Sequence, residues 1–299
     1  VKHFVYGFLW AITSAAAAAQ SFKVLTYNVY AKPDLTEARY TFERLKLICQ
    51  QLKSGPWDVV LIQEAWTAKG RQALSRCGFP HVMDLSQTGS TDKEGHLGSG
   101  LLILSRWPLL QQKRHVLTRP SGFKAIFQHG EALVRKSVYL AQIQLPASKF
   151  VWIANTHFVA NYCSRPSFKD CSSYQEIRAK QLEQMAHYIF SIVKNDPVIL
   201  GGDFNMGEHP VSRDVGWQQF PLRFAGFQQA SHASDVQTSS GSNTFKDNDN
   251  GKIDHIFASP ELTITEGALA FETPMKLRDG KLSHLSDHYG WQSTITLQE

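Results

Sequence analysis

Seven polar side chains interrupt the apolar rhythm of this sequence at one kind of place, and this constrains the fold more than any other feature. Asn28, Glu64, His157, Asp203, Asn205, Asp254 and His288 each sit at or just beyond the end of an apolar, strand-like run. A lone Glu after a strand is usually a solvated loop residue, and a lone His usually has a structural role. Seven such residues spread along the chain require a fold that brings strand ends to one edge, where their side chains converge in a cleft.

The runs themselves predict that fold. Strands are expected over Phe22–Val29, Asp58–Gln63, Gly100–Ser105, Val138–Leu145, Phe150–Asn155, Pro197–Leu200, Ile253–Ser259 and Trp291–Leu297. Helical spacing marks Thr41–Lys53, with Phe42, Leu45, Ile48 and Leu52 on one face, and Tyr174–Val193. Strands outnumber helices and long polar loops separate them, which fits an α/β architecture of two packed sheets with helices outside. Residues 231–252, rich in Ser, Asn, Asp and Gly, are expected to form a surface loop rather than a linker. The 299 residues are 42% hydrophobic and 19% charged, enough for one large domain, and residues 20–299 are expected to form it.

The first nineteen residues have the pattern of a secretory signal: Lys2 and His3, an apolar run from Phe4 to Ile12, then small residues from Ala15 to Ala19. The run is short for a membrane span. Secretion or periplasmic export is the expectation, and it places Cys49, Cys77, Cys163 and Cys171 where disulfides persist. Cys163 and Cys171, close together in a polar loop, are the favoured pair, and Cys49–Cys77 completes the set. The net charge of +5 suits anionic partners without choosing between nucleic acid and a phospholipid surface.

The residue types suit one reaction. Carboxylates such as Glu64 are hard oxygen ligands for Mg²⁺ or Ca²⁺. Asn28 and Asn205 can orient a carboxylate, a water or a phosphate oxygen, and histidine moves protons near neutral pH. Asp287-His288 forms an adjacent acid–imidazole pair. A G-x-S-x-G elbow, a P-loop and a dinucleotide fingerprint are all missing from the sequence. A metal and a His-activated water attacking phosphorus in line is the economical chemistry.

Tyr27-Asn28, Gln63-Glu64, Thr156-His157, Gly202-Asp203-Phe204-Asn205, Asp254-His255-Ile256 and Ser286-Asp287-His288 follow one another in this order. The set resembles the endonuclease/exonuclease/phosphatase superfamily across residues 21–299. The resemblance implies a four-layer α/β sandwich of two mostly antiparallel sheets. It implies that Glu64 binds catalytic Mg²⁺ with Asn28 beside it, with Mn²⁺ or Co²⁺ as substitutes and Ca²⁺ inhibitory or structural. His288, neighboured by Asp287, is then the general base, and Asp203 holds the attacking water or its base. Asn205 contacts the scissile phosphate, His157 stabilises its charge or protonates the leaving group, and Asp254 orients His157.

Within that superfamily the sequence is most similar to neutral sphingomyelinases. Gln63-Glu64-Ala65-Trp66 and Gly98–Pro108 resemble their segments, and Glu131 and Lys136 repeat an acid–lysine pair at the same offset. There Glu replaces the family's Asp and Ser137 its Gly, and an exposed surface pair is the alternative. After His157 come Phe158, Ala160, Asn161 and Tyr162, then Tyr174, Arg178 and Gln181 at helical spacing. The resemblance assigns Lys136, Asn161, Tyr162 and Arg178 to substrate binding. The implied activity is hydrolysis of sphingomyelin, or a related phospholipid, to ceramide and phosphocholine by a monomer that works peripherally on a membrane. Trp66, Trp107, Phe123, Phe127 and Phe158 are candidates for the lipid-facing rim. The competing expectation is a secreted nonspecific endonuclease with the same core, held to DNA by its basic charge.

Overall fold

The structure, a computed structural model, describes residues 20–32, 40–86, 98–120, 131–160, 172–208, 214–233, 235–245 and 251–297. The predicted signal therefore lies outside the described residues, as do Asn161, Tyr162, Cys163, Cys171, Phe123 and Phe127.

Every expected strand and both expected helices form. In the first sheet the order is β11 (Leu262–Ile264), β15 (Gly290–Leu297), β1 (Gln20–Ala31), β2 (Val59–Ala65), β4 (Leu102–Ser105) and β3 (His81–Met83), with β12 (Ala268–Ala270) also on β15. In the second the order is β5 (Leu109–Val116), β6 (Ser137–Gln144), β7 (Phe150–His157), β8 (Val198–Asp203), β10 (Asp254–Ala258) and β9 (Gln228–Gln229). A small ribbon pairs β13 (Met275–Lys276) with β14 (Leu282–Ser283).

One apolar cluster fills the space between the sheets, built from residues such as Val24, Leu61, Ile103, Tyr139, Ile153 and Trp291. A second lies between the first sheet and helices α1 (Thr41–Ser54) and α2 (Ala68–Leu74). A third lies between the second sheet and helices α3 (Ser172–Val193) and α4 (Val215–Arg223). This is the four-layer sandwich. Its central strands are covered on both faces, which is why they read as continuous apolar runs rather than alternating ones.

The pairing explains the convergence of polar residues. Each sheet has one parallel pair at its centre, β1 with β2 and β7 with β8, and their exits share one edge. Asn28 lies beside Gln63, and His157 beside Asp203. Asp254 and His288 reach the same edge differently from the expectation: Asp254 opens β10 and His288 precedes β15. Both strands run antiparallel to their neighbours β8 and β1, so their entrances lie where those neighbours end.

A buried amide pair ties the two sheets together just below that edge. The Gln63 amide donates to Asn155 Oδ1 at 2.7 Å and to Thr26 Oγ1 at 3.0 Å. Asn155 in turn donates to the carbonyls of Ile62 and Leu102. Buried amides are stabilising when paired and costly when not, so this cluster favours one relative placement of the sheets.

Two expectations need correction, and one expected cysteine pairing forms. Phe42 is 46% exposed, because α1 is rotated to bury Arg44, whose guanidinium donates to the carbonyls of Val29, Tyr30 and Leu285. Residues 238–245 are more than a surface loop: Thr238, Ser239 and Asn243 are buried against the segments that carry Asp254 and His288. Cys49 and Cys77 form a disulfide between α1 and the segment after α2.

Candidate active site

Local backbone geometry aims the key groups. Glu64 and Asn205 adopt left-handed conformations, with φ of 58° and 52°. Such values are strained for non-glycine residues and gather at functional sites. Gly202 has φ of 145°, and a Cβ there would lie 2.2 Å from the Thr156 carbonyl oxygen. Only glycine lets β8 pass β7 this closely, and that approach sets His157 beside Asp203.

Asp203 is the hub. Its Oδ2 accepts the Asn28 amide at 3.0 Å and lies 3.5 Å from His157 Nε2 and 3.8 Å from His288 Nε2. Its Oδ1 accepts the Asn205 backbone N–H at 2.9 Å. The Asn205 side chain donates to the Phe158 carbonyl at 3.1 Å, fixing the turn after His157. Asp254 Oδ2 bonds His288 Nδ1 at 2.8 Å. Asp254 thus orients His288, not His157, and the partner of His288 is Asp254 rather than the adjacent Asp287. The reason is topological: the entrance of β10 and the approach to β15 come together at the edge and set Asp254 against His288.

Lys136 and Glu131 form a buried ion pair at 3.5 Å, so the alternative of an exposed surface pair fails. Lys136 Nζ also lies 3.0 Å from His157 Nε2 and over the Trp66 ring, while Glu131 Oε1 accepts the Ala160 N–H. Since an ammonium only donates, His157 Nε2 accepts and its proton sits on Nδ1. Arg178 does not face the cleft. It is fully buried, paired with Asp214, and donates to the carbonyls of Val159 and Ala160. Gln181 accepts the Val159 N–H from the same helix face. This face holds the turn after His157 instead of touching substrate. Trp66 and Phe158 are buried and Trp107 packs against Phe22, so none of the three forms a lipid-facing rim.

The family model described as Endonuclease/Exonuclease/phosphatase family matches residues 25–288. The chain belongs to that family. A sphingomyelin phosphodiesterase 2 of Mus musculus is 31% identical over 196 residues, covering 65% of this chain and 42% of that protein. A sphingomyelinase C of Listeria ivanovii is 25% identical over 201 residues, covering 62% of this chain and 56% of that protein. The match thus spans about half the length of these curated relatives. A beta toxin mutant from Staphylococcus aureus, solved with bound magnesium ions, superposes with a TM-score of 0.73 at 18% identity, covering 92% of this chain and 99% of that one. At this identity the likeness establishes the fold.

The family's metal has a place to sit. Glu64 Oε2 is buried with no hydrogen-bond partner, and Lys32 Nζ stands 4.0 Å from it. Burial raises the Glu64 carboxyl, but the charges of Lys32, Lys136 and His288 outweigh it and hold the group below its usual range. A buried, ionised oxygen ligand with an open lone pair fits a hard divalent cation. Asn28, whose Oδ1 accepts the Tyr30 N–H at 3.1 Å, has a second lone pair on that oxygen. Among the described residues, ligand atoms of Asp203, Asp254 and His288 also lie within 4.8 Å of one another and form a second acidic group.

The two imidazoles are pushed in opposite directions by their surroundings. Burial and then the Lys136 ammonium push His157 well below the usual histidine range. Burial also opposes charge on His288, but Asp254 and Asp203 overcome it and hold this imidazole well above that range. Burial, reinforced by Asp254, pushes Asp203 up to about 7. Asp287 is raised, mainly by burial and further by Glu64. Such divergence within one cleft marks acid–base machinery.

Sequence reasoning missed Lys32, the Gln63–Asn155 tie and Thr238. Gln63 carried a signal, as an amide inside a strand otherwise apolar from Val59 to Ile62. Lys32 and Thr238 carried none, since each sits in a polar stretch that looks like ordinary loop.

Proposed function

We propose that this protein is an exported, Mg²⁺-dependent phosphodiesterase that hydrolyses sphingomyelin, or a closely related phospholipid, to ceramide and phosphocholine. The observation that carries the substrate class is the buried Glu131–Lys136 pair set against His157. An ammonium at this position supplies a point charge for the phosphodiester anion beside the imidazole. Similarity to proteins named as sphingomyelinases supports the same class.

A bound cation would supply Lewis-acid stabilisation of charge on the phosphate. Glu64 and Asn28 would hold it. Asp254 accepts the Nδ1–H of His288 in a hydrogen bond and leaves Nε2 directed at Asp203, where a water would be oriented for attack. His288 is the base, made more basic by Asp254, and must shed its resting proton first. Asp203 positions the water and Asn205 the phosphate. His157, also near Asp203 Oδ2, and Lys136 beside it stabilise the departing oxygen. Export rests on the pattern of residues 1–19, and the Cys49–Cys77 bridge suits the same compartments. Among the described residues no helix is long and apolar enough to cross a membrane.

The test is a Mg²⁺-dependent assay run in parallel on sphingomyelin vesicles and duplex DNA. Phosphocholine release without nicking is the expected result. Nicking without lipid cleavage would replace this function with that of a nonspecific endonuclease.

A further inference from the structure

The Asp254–His288 contact joins two strands that belong to different sheets. No sheet hydrogen bond sets the distance between β10 and β15, yet the carboxylate and imidazole meet at 2.8 Å. Something else must hold the strands at this spacing.

Thr238 and Ser239 lie between them. Thr238 is fully buried, and its Oγ1 accepts the backbone N–H groups of both Ile253 and Asp254 at 3.1 Å. Its own N–H donates to the Gly251 carbonyl at 3.1 Å, and its carbonyl accepts the Tyr289 N–H at 2.8 Å. Ser239 exchanges two backbone bonds with Gly251, at 3.0 and 2.9 Å, and forms an isolated bridge with His288. These two residues act as a short stave with the entrance of β10 along one side and the approach to β15 along the other. One side carries Asp254, the other His288.

We propose that Thr238, with the Ser239 backbone, is the positioning element that sets the Asp254–His288 geometry. The hydroxyl matters because it is the acceptor for the Asp254 N–H itself, so it fixes the root of the carboxylate. Valine has the same shape but leaves two buried N–H groups without that acceptor, and β10 must shift to satisfy them. Misplacing a reacting group by about 1 Å costs on the order of 100-fold in rate.

The experiment compares Thr238→Val, Thr238→Ala and Thr238→Ser with Ser259→Ala. Ser259 is a buried hydroxyl that accepts the Val198 N–H at the far end of β10, so its loss reports the general cost of such a bond. The kinetic arm uses Mg²⁺ and bis(p-nitrophenyl) phosphate, a simple diester, and rests on the phosphodiesterase function only, not on its lipid. Thr238→Val and Thr238→Ala should lower kcat by roughly 30- to 100-fold with little change in KM. Thr238→Ser should recover most of the loss, and Ser259→Ala should keep kcat.

The second arm follows the His288 Nδ1–H proton by NMR in the protein without substrate. It should shift or vanish in Thr238→Val and Thr238→Ala, and persist in Thr238→Ser and Ser259→Ala. A folded Thr238→Val or Thr238→Ala protein with unchanged kcat and signal overturns the proposal. So does Ser259→Ala losing kcat to the same extent. Should the wild type fail to cleave the diester, the functional assignment has failed, and the imidazole signal alone decides the role of Thr238.

Discussion

Replacing Lys136 by Met tests whether the ammonium beside His157 is as deeply buried as the structure has it. Its side chain is 2% exposed and that of Glu131 is 6%, with 3.5 Å between the charged atoms. Met fills much of the lysine stem's volume, so the change removes charge more than packing. Losing one partner of a buried pair costs about 3–5 kcal/mol, because the other charge stays behind in low dielectric. For a chain of this size each kcal/mol moves Tm by roughly 2–4 °C, so Lys136→Met should melt about 6–20 °C below wild type at pH 8. Adding Glu131→Gln should recover most of the deficit, since the stranded carboxylate is then gone.

Lowering the pH adds a second signature. His157 is depressed in the folded state by burial and by Lys136, so the fold loses stability from it as pH falls below about 6.5, where the unfolded imidazole gains a proton. Without Lys136 the depression is smaller, and the gap between the melting curves should narrow from pH 8 to pH 5.5. Differential scanning calorimetry of the four proteins of the cycle reads all of this. A Lys136→Met protein melting within about 2 °C of wild type at pH 8, with no recovery in the double mutant, would refute the buried pair.

Other consequences follow from the same geometry. Asp254→Asn removes the charge that lifts His288, so the acid limb of the kcat profile should move to lower pH while the maximum falls; a limb that stays put excludes His288 as the base. His288→Ala should lower kcat by on the order of 10²–10⁴-fold in a steady-state assay, and should also lower Tm, because Asp254 is left buried without its partner. Glu64→Gln should weaken Mn²⁺ or Mg²⁺ binding at least about tenfold by isothermal titration calorimetry, as one ionised ligand is lost; equal affinity would place the cation elsewhere, with Asp203 and Asp254 the first candidates. Arg178→Met should lower Tm through its buried pair with Asp214 and leave KM for substrate unchanged in molecules that fold; a raised KM at wild-type Tm would restore a substrate-contacting role.

Much of the site was legible because each member lies at one end of a strand run, or just beyond it, a pattern written locally in the chain. What was not legible is pairing across the sheets. His288 has Asp287 beside it in sequence, yet its partner is Asp254, chosen by the meeting of β10 and β15. Arg178 has the helical spacing of a residue facing the cleft, but spacing gives a face without saying what covers it, and Asp214 arrives from a distant segment. Phe42 was placed inside by periodicity alone, and the three carbonyls that draw Arg44 inward outweighed it. Glu131 and Lys136 could be recognised as a pair, whereas their burial depends on Trp66 and His157, contributed by two other strand ends.

The position of β15 gives the molecule a timing. This strand is late in the sequence but lies near the middle of its sheet, between β11 and β1, and His288 stands just ahead of it. A chain delivered from its amino end can complete the second sheet by residue 258, yet the first sheet stays split until residues 290–297 arrive and pair with β1. His288 and the strand that anchors it therefore appear together, after every other strand of both sheets. A chain interrupted before that point would carry Glu64, His157 and Asp203 without the imidazole that Asp254 holds.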